Sequence, residues 1–435
     1  MKWSIFNFLY PSKNDNGWVL YNSLSNVLIN MNQDNYEKLI SLRENPILIN
    51  MFSNAKELIN SKILVEDDQI EIDKLKLEVL RKRFTNDILD ITIVPTLSCN
   101  FNCTYCFQDG LPTYIMDDRT EDNIIDFIKL FKSNIKFLQI TWFGGEPLLV
   151  FDKIKSISKK LINEINIPFE SNIITNGYLL DENVIAQLDN LHIKFIQITI
   201  DGLEETHNTR RRLHNNKNTF QTIIKNLESV IKLKPEIKIS IRVNIDKDNT
   251  DEYHKIYKFL LEKFVNNKIV IYPGFVDSYS YKCSSIDFCS LEKNERVNFY
   301  IEQYSKYGLY SEEFYPTVNT NSCMVRYLNS YVIGPTGELY KCVSTVGVKE
   351  MEIGNINNKD NFIKNDNLLI EFLKGNDYLD RKECNDCIVF PICDGGCPYL
   401  KMKEKYLGEQ HDICNIAKGN LDKFLDIHID MKQAK

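Results

Sequence analysis

The chain has 435 residues, a formal net charge of -7 and a hydrophobic fraction of 43%, enough for two or three domains and a full barrel core. The acidic balance leaves no basic footprint for nucleic acid or an anionic membrane, and no apolar run reaches transmembrane length. Twelve cysteines, ten of them in two groups of a large chain, point to metal ligation in a reducing compartment rather than to a disulfide scaffold, and the N-terminus MKWSIFNFLYPSKNDNG lacks a signal-peptide cleavage site, so a cytoplasmic location is expected.

Residues 17–31, GWVLYNSLSNVLINM, read as two short strands around an Asn-Ser turn, and Asn32 to Arg43 as a helix. A second helical segment at 48–61 leads to Ile63, Leu64 and Val65, a wing strand followed by Glu66, Asp67 and Asp68. Hairpin, helices and wing form a winged-helix-like module over residues 1–70. It resembles the leader-peptide recognition element fused to many peptide-modifying enzymes, which binds a substrate leader as an added strand; a merely stabilising helical cap is the alternative. Residues 71–89 read as a charged, helical linker.

From 90 to 275, strand and helix patterns alternate. The strands are Ile91 to Pro95, Phe137 to Phe143, Ser171 to Thr175, Ile193 to Ile200, Ile237 to Ile245 and Ile269 to Tyr272. Phe220, Ile223, Ile224, Leu227, Val230 and Ile231 make one apolar helical stripe. Six such repeats imply a parallel sheet, closed or partly closed as a barrel. Ile237, Ile239, Ile241, Val243 and Ile245 alternate with polar residues, so outer helices cover the apolar face and Arg242 and Asn244 point inward. By the same argument Ile196, Ile198 and Ile200 pack outward, and Gln197, Thr199 and Asp201 line an interior polar enough to hold a polar ligand.

Cys99, Cys103 and Cys106 stand as C-x3-C-x2-C in TIVPTLSCNFNCTYCFQD, just after the first of these strands. Three thiolates in one tight loop can hold three irons of a 4Fe-4S cluster and leave the fourth open; a zinc site or a redox-sensitive loop is the other reading. Trp142-Phe143-Gly144-Gly145-Glu146-Pro147 ends the second strand, Thr175-Asn176-Gly177 the third, and Gln197, Thr199 and Asp201-Gly202 the fourth, with His207 and Arg211 beyond. Paired glycines permit close backbone approach, and a carboxylate can accept hydrogen bonds from an ammonium group.

Together these motifs resemble the radical S-adenosylmethionine (SAM) superfamily. In that family the open iron chelates the amino and carboxylate groups of SAM, and an electron from the cluster breaks a C–S bond to give a 5'-deoxyadenosyl radical. The resemblance implies that Cys99, Cys103 and Cys106 hold the cluster. It also implies that Tyr105, Gly144, Gly145, Glu146, Thr175, Asn176, Gln197, Thr199, Asp201 and Arg242 surround SAM. Thr199 replaces the family's usual Ser, and Asn208 follows His207 where Asp is common. As lone residues, His207 and Arg211 suit loop orientation better than chemistry.

A second cysteine group comprises Cys323, Cys342, Cys384, Cys387, Cys393, Cys397 and Cys414, spaced C-x13-G-x4-C, then C-x2-C-x5-C-x3-C, then C, with Gly337 in a hairpin of Tyr331 to Lys341. A zinc ribbon plus loose cysteines is one reading. The spacing resembles the SPASM domain of radical SAM enzymes, whose cysteines help to bind two auxiliary 4Fe-4S clusters. By position, that resemblance gives Cys384, Cys387, Cys393 and Cys414 to the distal cluster and Cys323, Cys342 and Cys397 to the nearer one. Thr317 stands where sulfatase-maturating relatives carry an eighth Cys, so the nearer cluster either takes Cys283 or Cys289 or keeps an open iron.

The expected architecture is α/β: a winged-helix-like domain at 1–70, a linker at 71–89 and a partial (β/α)6 TIM-like barrel at 90–275. A bridging segment at 276–320, an iron-sulfur SPASM domain at 321–420 and a tail at 421–435 complete it. The expected function is radical SAM maturation of a ribosomally made precursor peptide (RiPP maturation) with a leader sequence, installing a crosslink such as a thioether. SAM and three 4Fe-4S clusters are its cofactors, and flavodoxin or ferredoxin is an electron donor of the right kind. The alternatives are an anaerobic sulfatase-maturating enzyme, against which Val343 stands where those relatives have Asp, and a non-catalytic metal-binding interaction protein.

Overall fold

In a computed structural model the described residues are 1–13, 16–265, 269–277 and 290–433; Cys283 and Cys289 lie outside them. The chain divides into two compact units, one of Met1–Phe84, Glu292–Tyr327 and Lys374–Lys435, the other of Thr85–Leu291 and Leu328–Leu373.

The first unit begins with strands β1 (Lys2–Trp3), β2 (Asn7–Pro11), β3 (Trp18–Asn22), β4 (Val27–Met31) and β5 (Leu64–Val65). β3 is central in an antiparallel sheet of order β2-β3-β4, with Val19, Leu20 and Tyr21 all buried. The wing residues Leu64 and Val65 pair with Trp3 and Lys2. β1 and β2 carry no readable alternation of their own; their partners in β5 and β3 define them.

Asn32 caps the helix Gln33–Glu44, its side chain accepting from Asn35 N at 3.0 Å. The second expected helix is divided into a 3-10 turn, Pro46–Met51, and a short helix, Ala55–Asn60. Leu20, Leu39, Leu42, Leu58, Ile63 and Leu64 close this small core. The helix Asp68–Arg83 then presents Ile72, Leu75 and Val79, spaced as one helical face, to Tyr378, Leu379 and Phe390, with Cys384 and Cys387 packed against the cluster.

The second unit is a mixed α/β layer around a nine-stranded sheet. Its strands are β6 (Ile88–Ile93), β7 (Phe101–Cys103), β8 (Phe137–Trp142), β9 (Phe169–Thr175), β10 (Ile193–Thr199), β11 (Arg211–Leu213), β12 (Lys238–Ile245), β13 (Ile269–Phe275), β14 (Ser330–Ile333), β15 (Glu338–Tyr340) and β16 (Gly354–Asn355). The order is β13-β12-β10-β9-β8-β6-β14-β15-β16, while β7 and β11 form a separate ribbon. Every neighbouring pair from β13 to β14 is parallel.

The helices Asp118–Lys129, Phe151–Glu164, Phe220–Leu233 and Tyr253–Lys263 cross between successive strands, as parallel pairing requires. Phe220, Ile223, Ile224, Leu227 and Val230 are buried as one stripe. On β12, Ile239, Ile241, Val243 and Ile245 are buried, while Arg242 and Asn244 are only half-buried on the opposite face. β14 continues the sheet beside β6, pairing Ser330 with Asp90 and Ile333 with Ile93. Gly337, at φ +87°, turns the chain from β14 to β15; a Cβ there would meet Asn357 Nδ2 at 2.7 Å. Among the described residues no helix is long and apolar enough to cross a membrane.

Candidate active site and cysteine sites

In parallel α/β sheets the loops beyond the C-terminal strand ends form the site. In the second unit, Cys99 follows β6, Glu146 follows β8, Asn176 follows β9 and Asp201 follows β10. The two glycines after β8 lie against the chain leading into Cys99. A Cβ at Gly144 would meet Thr96 O at 2.3 Å, and one at Gly145 would meet Ser98 O at 2.3 Å. Gly145 N donates to Thr96 O at 3.2 Å and Glu146 N to Ser98 O at 2.9 Å. Only glycine permits this approach.

Glu146 is wholly buried. Its carboxylate accepts from Leu148 N at 3.0 Å, Thr175 Oγ1 at 2.7 Å and Asn176 N at 2.7 Å. Burial raises its pKa, and these donors oppose the shift. The side chain therefore ties β8 to β9. Asn176 carries the link onward: Nδ2 donates to Asn100 Oδ1 at 2.7 Å and lies 3.9 Å from Cys99 Sγ.

The cysteine loop is pinned again on its far side. Cys103 pairs with Arg211 in the β7–β11 ribbon, and Thr104 N donates to Arg210 O at 3.1 Å. The Tyr105 hydroxyl donates to Asp201 Oδ2 and accepts from Arg211 Nη1 at 2.6 Å and Asn244 Nδ2 at 3.0 Å. Asp201 Oδ1 accepts from Asn244 N at 3.1 Å, and Arg210 bridges Asp201 at 3.5 Å and Asp246 at 2.9 Å. Deeper in, Tyr272 donates to Gln197 Oε1 at 2.8 Å and Arg242 Nε to Asn244 Oδ1 at 2.8 Å. Thr199 is buried beside them on β10.

His207 is fixed in one tautomer. Thr219 Oγ1 donates to Arg211 O at 2.6 Å, so its lone pair takes the His207 Nε2 hydrogen at 3.1 Å, and His207 Nδ1 accepts from Asp201 N at 3.3 Å. Burial, reinforced by Arg211 and Arg210, holds its pKa well below the usual range. It orients the Asp201 turn as a neutral ring. Asn249, absent from the motif reading, does the same from β12's end, donating to Asp201 O and Asn244 O at 2.9 Å each. Its only sequence signal is a polar residue just past a strand.

The thiols of Cys99, Cys103 and Cys106 are unbridged. Burial pushes Cys99 up to about 12 and Cys103 to about 11, with Arg211 pulling both down. Bare thiolates are costly in such a site, and iron held there would supply the missing positive charge. The donor set suits a cluster.

In the first unit, Cys384, Cys387, Cys393 and Cys414 line one cavity of about 100 Å³, together with Tyr378, Arg381, Phe390, Lys401 and Lys418. Gly395 N donates to Cys393 Sγ at 3.3 Å, and a Cβ at Gly395 would meet the Tyr378 ring at 2.2 Å. Four thiols around one cavity fit a fully ligated cluster. Cys323 precedes the 3-10 turn Met324–Arg326, and Cys397 precedes the helix Pro398–Leu407, both in this unit. Cys342 belongs to the second unit, ahead of the turn Val343–Thr345.

Residues 93–260 match the radical SAM superfamily. The radical SAM cyclopropyl synthase TigE of Paramaledivibacter caminithermalis is 23% identical, over 95% of this chain and 92% of its own. A cysteine-type anaerobic sulfatase-maturating enzyme of Clostridium perfringens is 26% identical, over 71% of this chain and 88% of its own. Among solved structures, anSMEcpe with bound AdoMet and Kp18Cys peptide has a TM-score of 0.61 at 20% identity, covering 80% of this chain and 98% of its own. Streptococcus suis SuiB bound to precursor peptide SuiA has a TM-score of 0.53 at 18% identity, covering 95% and 99%.

Proposed function

We propose, for an enzyme that carries a radical SAM domain at residues 93–260, that it matures a ribosomally made precursor peptide and closes a crosslink in it, such as a thioether. The observation that carries this reading is the junction of Cys99, Asn176 and Glu146 at the ends of three neighbouring parallel strands. There Cys99, Cys103 and Cys106 hold the first 4Fe-4S cluster. Gly144, Gly145, Glu146, Thr175 and Asn176 border the methionine end of SAM, and Tyr105, Gln197, Thr199, Asp201 and Arg242 line the polar space beyond. Bound cluster and SAM supply a carbon radical able to remove hydrogen from an unactivated carbon. The chain's own residues position that chemistry and keep water from it.

In this reading residues 90–275 are a partial (β/α)6 barrel, 1–70 a winged-helix-like leader module, and 321–420 an auxiliary-cluster domain. Cys323, Cys342, Cys384, Cys387, Cys393, Cys397 and Cys414 serve as its iron ligands. A precursor-peptide substrate is supported by the fold likeness, over 95% of this chain, to SuiB bound to precursor peptide SuiA. Formylglycine formation is the second reading, favoured by the match over 88% of the sulfatase-maturating relative.

The test is anaerobic reconstitution followed by reduction in the presence of SAM and a peptide. Wild-type protein is expected to release 5'-deoxyadenosine and to remove two hydrogens from a leader-bearing precursor; the combined Cys99→Ala, Cys103→Ala and Cys106→Ala variant does neither. Loss of sulfur from a sulfatase Cys peptide, with the precursor untouched, selects the second reading. Failure to cleave SAM at full iron content removes both and leaves a metal-binding interaction protein.

A further inference from the structure

We infer that Lys401 and Lys418 set the reduction potential of the cluster held by Cys384, Cys387, Cys393 and Cys414, keeping it high enough to accept an electron. The inference rests on reading that cavity as a cluster site.

Among the described lining residues the one carboxylate is Glu383, and Arg381 cancels it: Arg381 Nε donates to Glu383 Oε1 at 2.7 Å and Nη2 lies 2.6 Å away. The two lysines are not cancelled in this way. Lys401 is 3% exposed, with Nζ 3.3 Å from the neutral acceptor Asn376 O. The neighbouring Asp377 is engaged by Arg83. Lys418 Nζ donates to Cys414 Sγ itself at 3.6 Å. Besides Gly395 and Asn415, the rest of the wall is Tyr378, Val389, Phe390 and Ile413, whose apolar bulk lowers the local dielectric.

Net charge, hydrogen bonds to sulfur and solvent exposure set such potentials. A cluster bound by four thiolates is anionic, and one more electron increases that charge, so a nearby cation favours the reduced form. Lys401 acts through protein interior and is weakly screened; Lys418 is exposed, and salt screens it. When a substrate radical closes onto a thiol, the S–H proton leaves to solvent and one electron must leave with it. A cluster with this cationic wall is built to take that electron.

The experiment is an EPR-monitored redox titration of the reconstituted full chain at low and high salt. Lys401→Met is expected to make reduction about tenfold harder, about 59 mV for one electron, while Lys401→Arg stays near wild type. Lys418→Gln is expected to give a smaller shift that fades at high salt. Unmoved midpoints in both Lys401→Met and Lys418→Gln, at full iron and sulfide, overturn the inference; if Lys401→Met does not fold, Lys418→Gln at low salt decides. Full iron and sulfide in the combined Cys384→Ala and Cys387→Ala variant would instead remove the cluster reading, and the inference with it.

Discussion

Tyr105, one residue before Cys106, gives its phenolic hydrogen to Asp201, two residues beyond β10 (Ile193–Thr199) at the sheet's C-terminal edge. Arg211 and Asn244 donate to the Tyr105 hydroxyl oxygen. A loop that leaves the end of β6 is thereby referenced to the ends of β10 and β12. The three thiols it carries inherit the geometry of the sheet rather than of the loop.

Tyr105→Phe keeps the ring beneath Arg210, whose guanidinium lies 5.0 Å from its centroid, but leaves Asp201, Arg211 and Asn244 each short of a partner. Orphaned buried groups cost about 1–3 kcal/mol. Urea unfolding is expected to show a loss of that size. SAM cleavage is expected to fall about tenfold as the loop loosens. An unchanged unfolding midpoint and rate would show that the hydroxyl network is dispensable.

Gly145→Ala inserts a Cβ at 2.3 Å from Ser98 O and 2.5 Å from Leu97 O, both backbone atoms that cannot rotate away. The chain entering Cys99 must shift. On the proposed three-cluster reading, reconstituted protein is expected to lose about one third of its iron, the share of one 4Fe-4S cluster. Full iron content in this variant would show that the loop tolerates displacement.

The main sheet was legible because its signals are local. Ile239, Ile241, Val243 and Ile245 alternate within one strand, and Phe220, Ile223, Leu227 and Val230 repeat within one helix. The cysteine triad and the Gly144-Gly145-Glu146 run were likewise readable as short spacings. What escaped the sequence depends on distant partners. β7 exists because Cys103 meets Arg211, and β14 extends the sheet because Ile333 meets Ile93. The hydrogen bond from Arg211 to Tyr105 spans 106 residues. No window of sequence contains both ends of such pairs.

The buried His207 makes stability depend on pH. Its folded pKa is depressed by burial from 6.5, so at lower pH the unfolded chain binds a proton that the folded chain refuses. The contribution is fully present above pH 6.5 and is lost as the pH falls, at up to about 1.4 kcal/mol per pH unit. Glu146, raised from 4.5 by burial, acts with the opposite sign above that value. The difference between wild type and His207→Gln isolates the histidine. Urea midpoints of the variant are expected to be less pH-dependent between about pH 6.5 and 5; parallel curves would mean that His207 is protonated in the folded state.

Arg83 connects the N-terminal helix to the four-cysteine cavity within the first unit. Its Nη1 pairs with Asp377 at 2.5 Å with neither side chain exposed, and its Nε donates to Ser322 Oγ at 2.7 Å. The guanidinium also lies 5.6 Å from the Tyr378 ring centroid, and Tyr378 forms part of the cavity wall. Arg83→Met leaves Asp377 buried with Lys374 Nζ, 3.6 Å away, as its remaining ion-pair partner, so the loss is expected at the lower end of the about 3–5 kcal/mol that a broken buried pair costs. Adding Asp377→Leu removes the stranded charge and is expected to restore most of that loss, since apolar replacement of a whole buried pair is often neutral or better. Guanidinium unfolding measures both. Because Ile72, Leu75 and Val79 share a core with Leu379 and Phe390, deleting residues 1–84 is expected to empty the Cys384–Cys414 site of iron as well as to remove the hairpin sheet. A leader-binding test is therefore cleaner with single changes on β4. Full auxiliary iron in the truncated chain would show that the cysteine segment folds without its helical support.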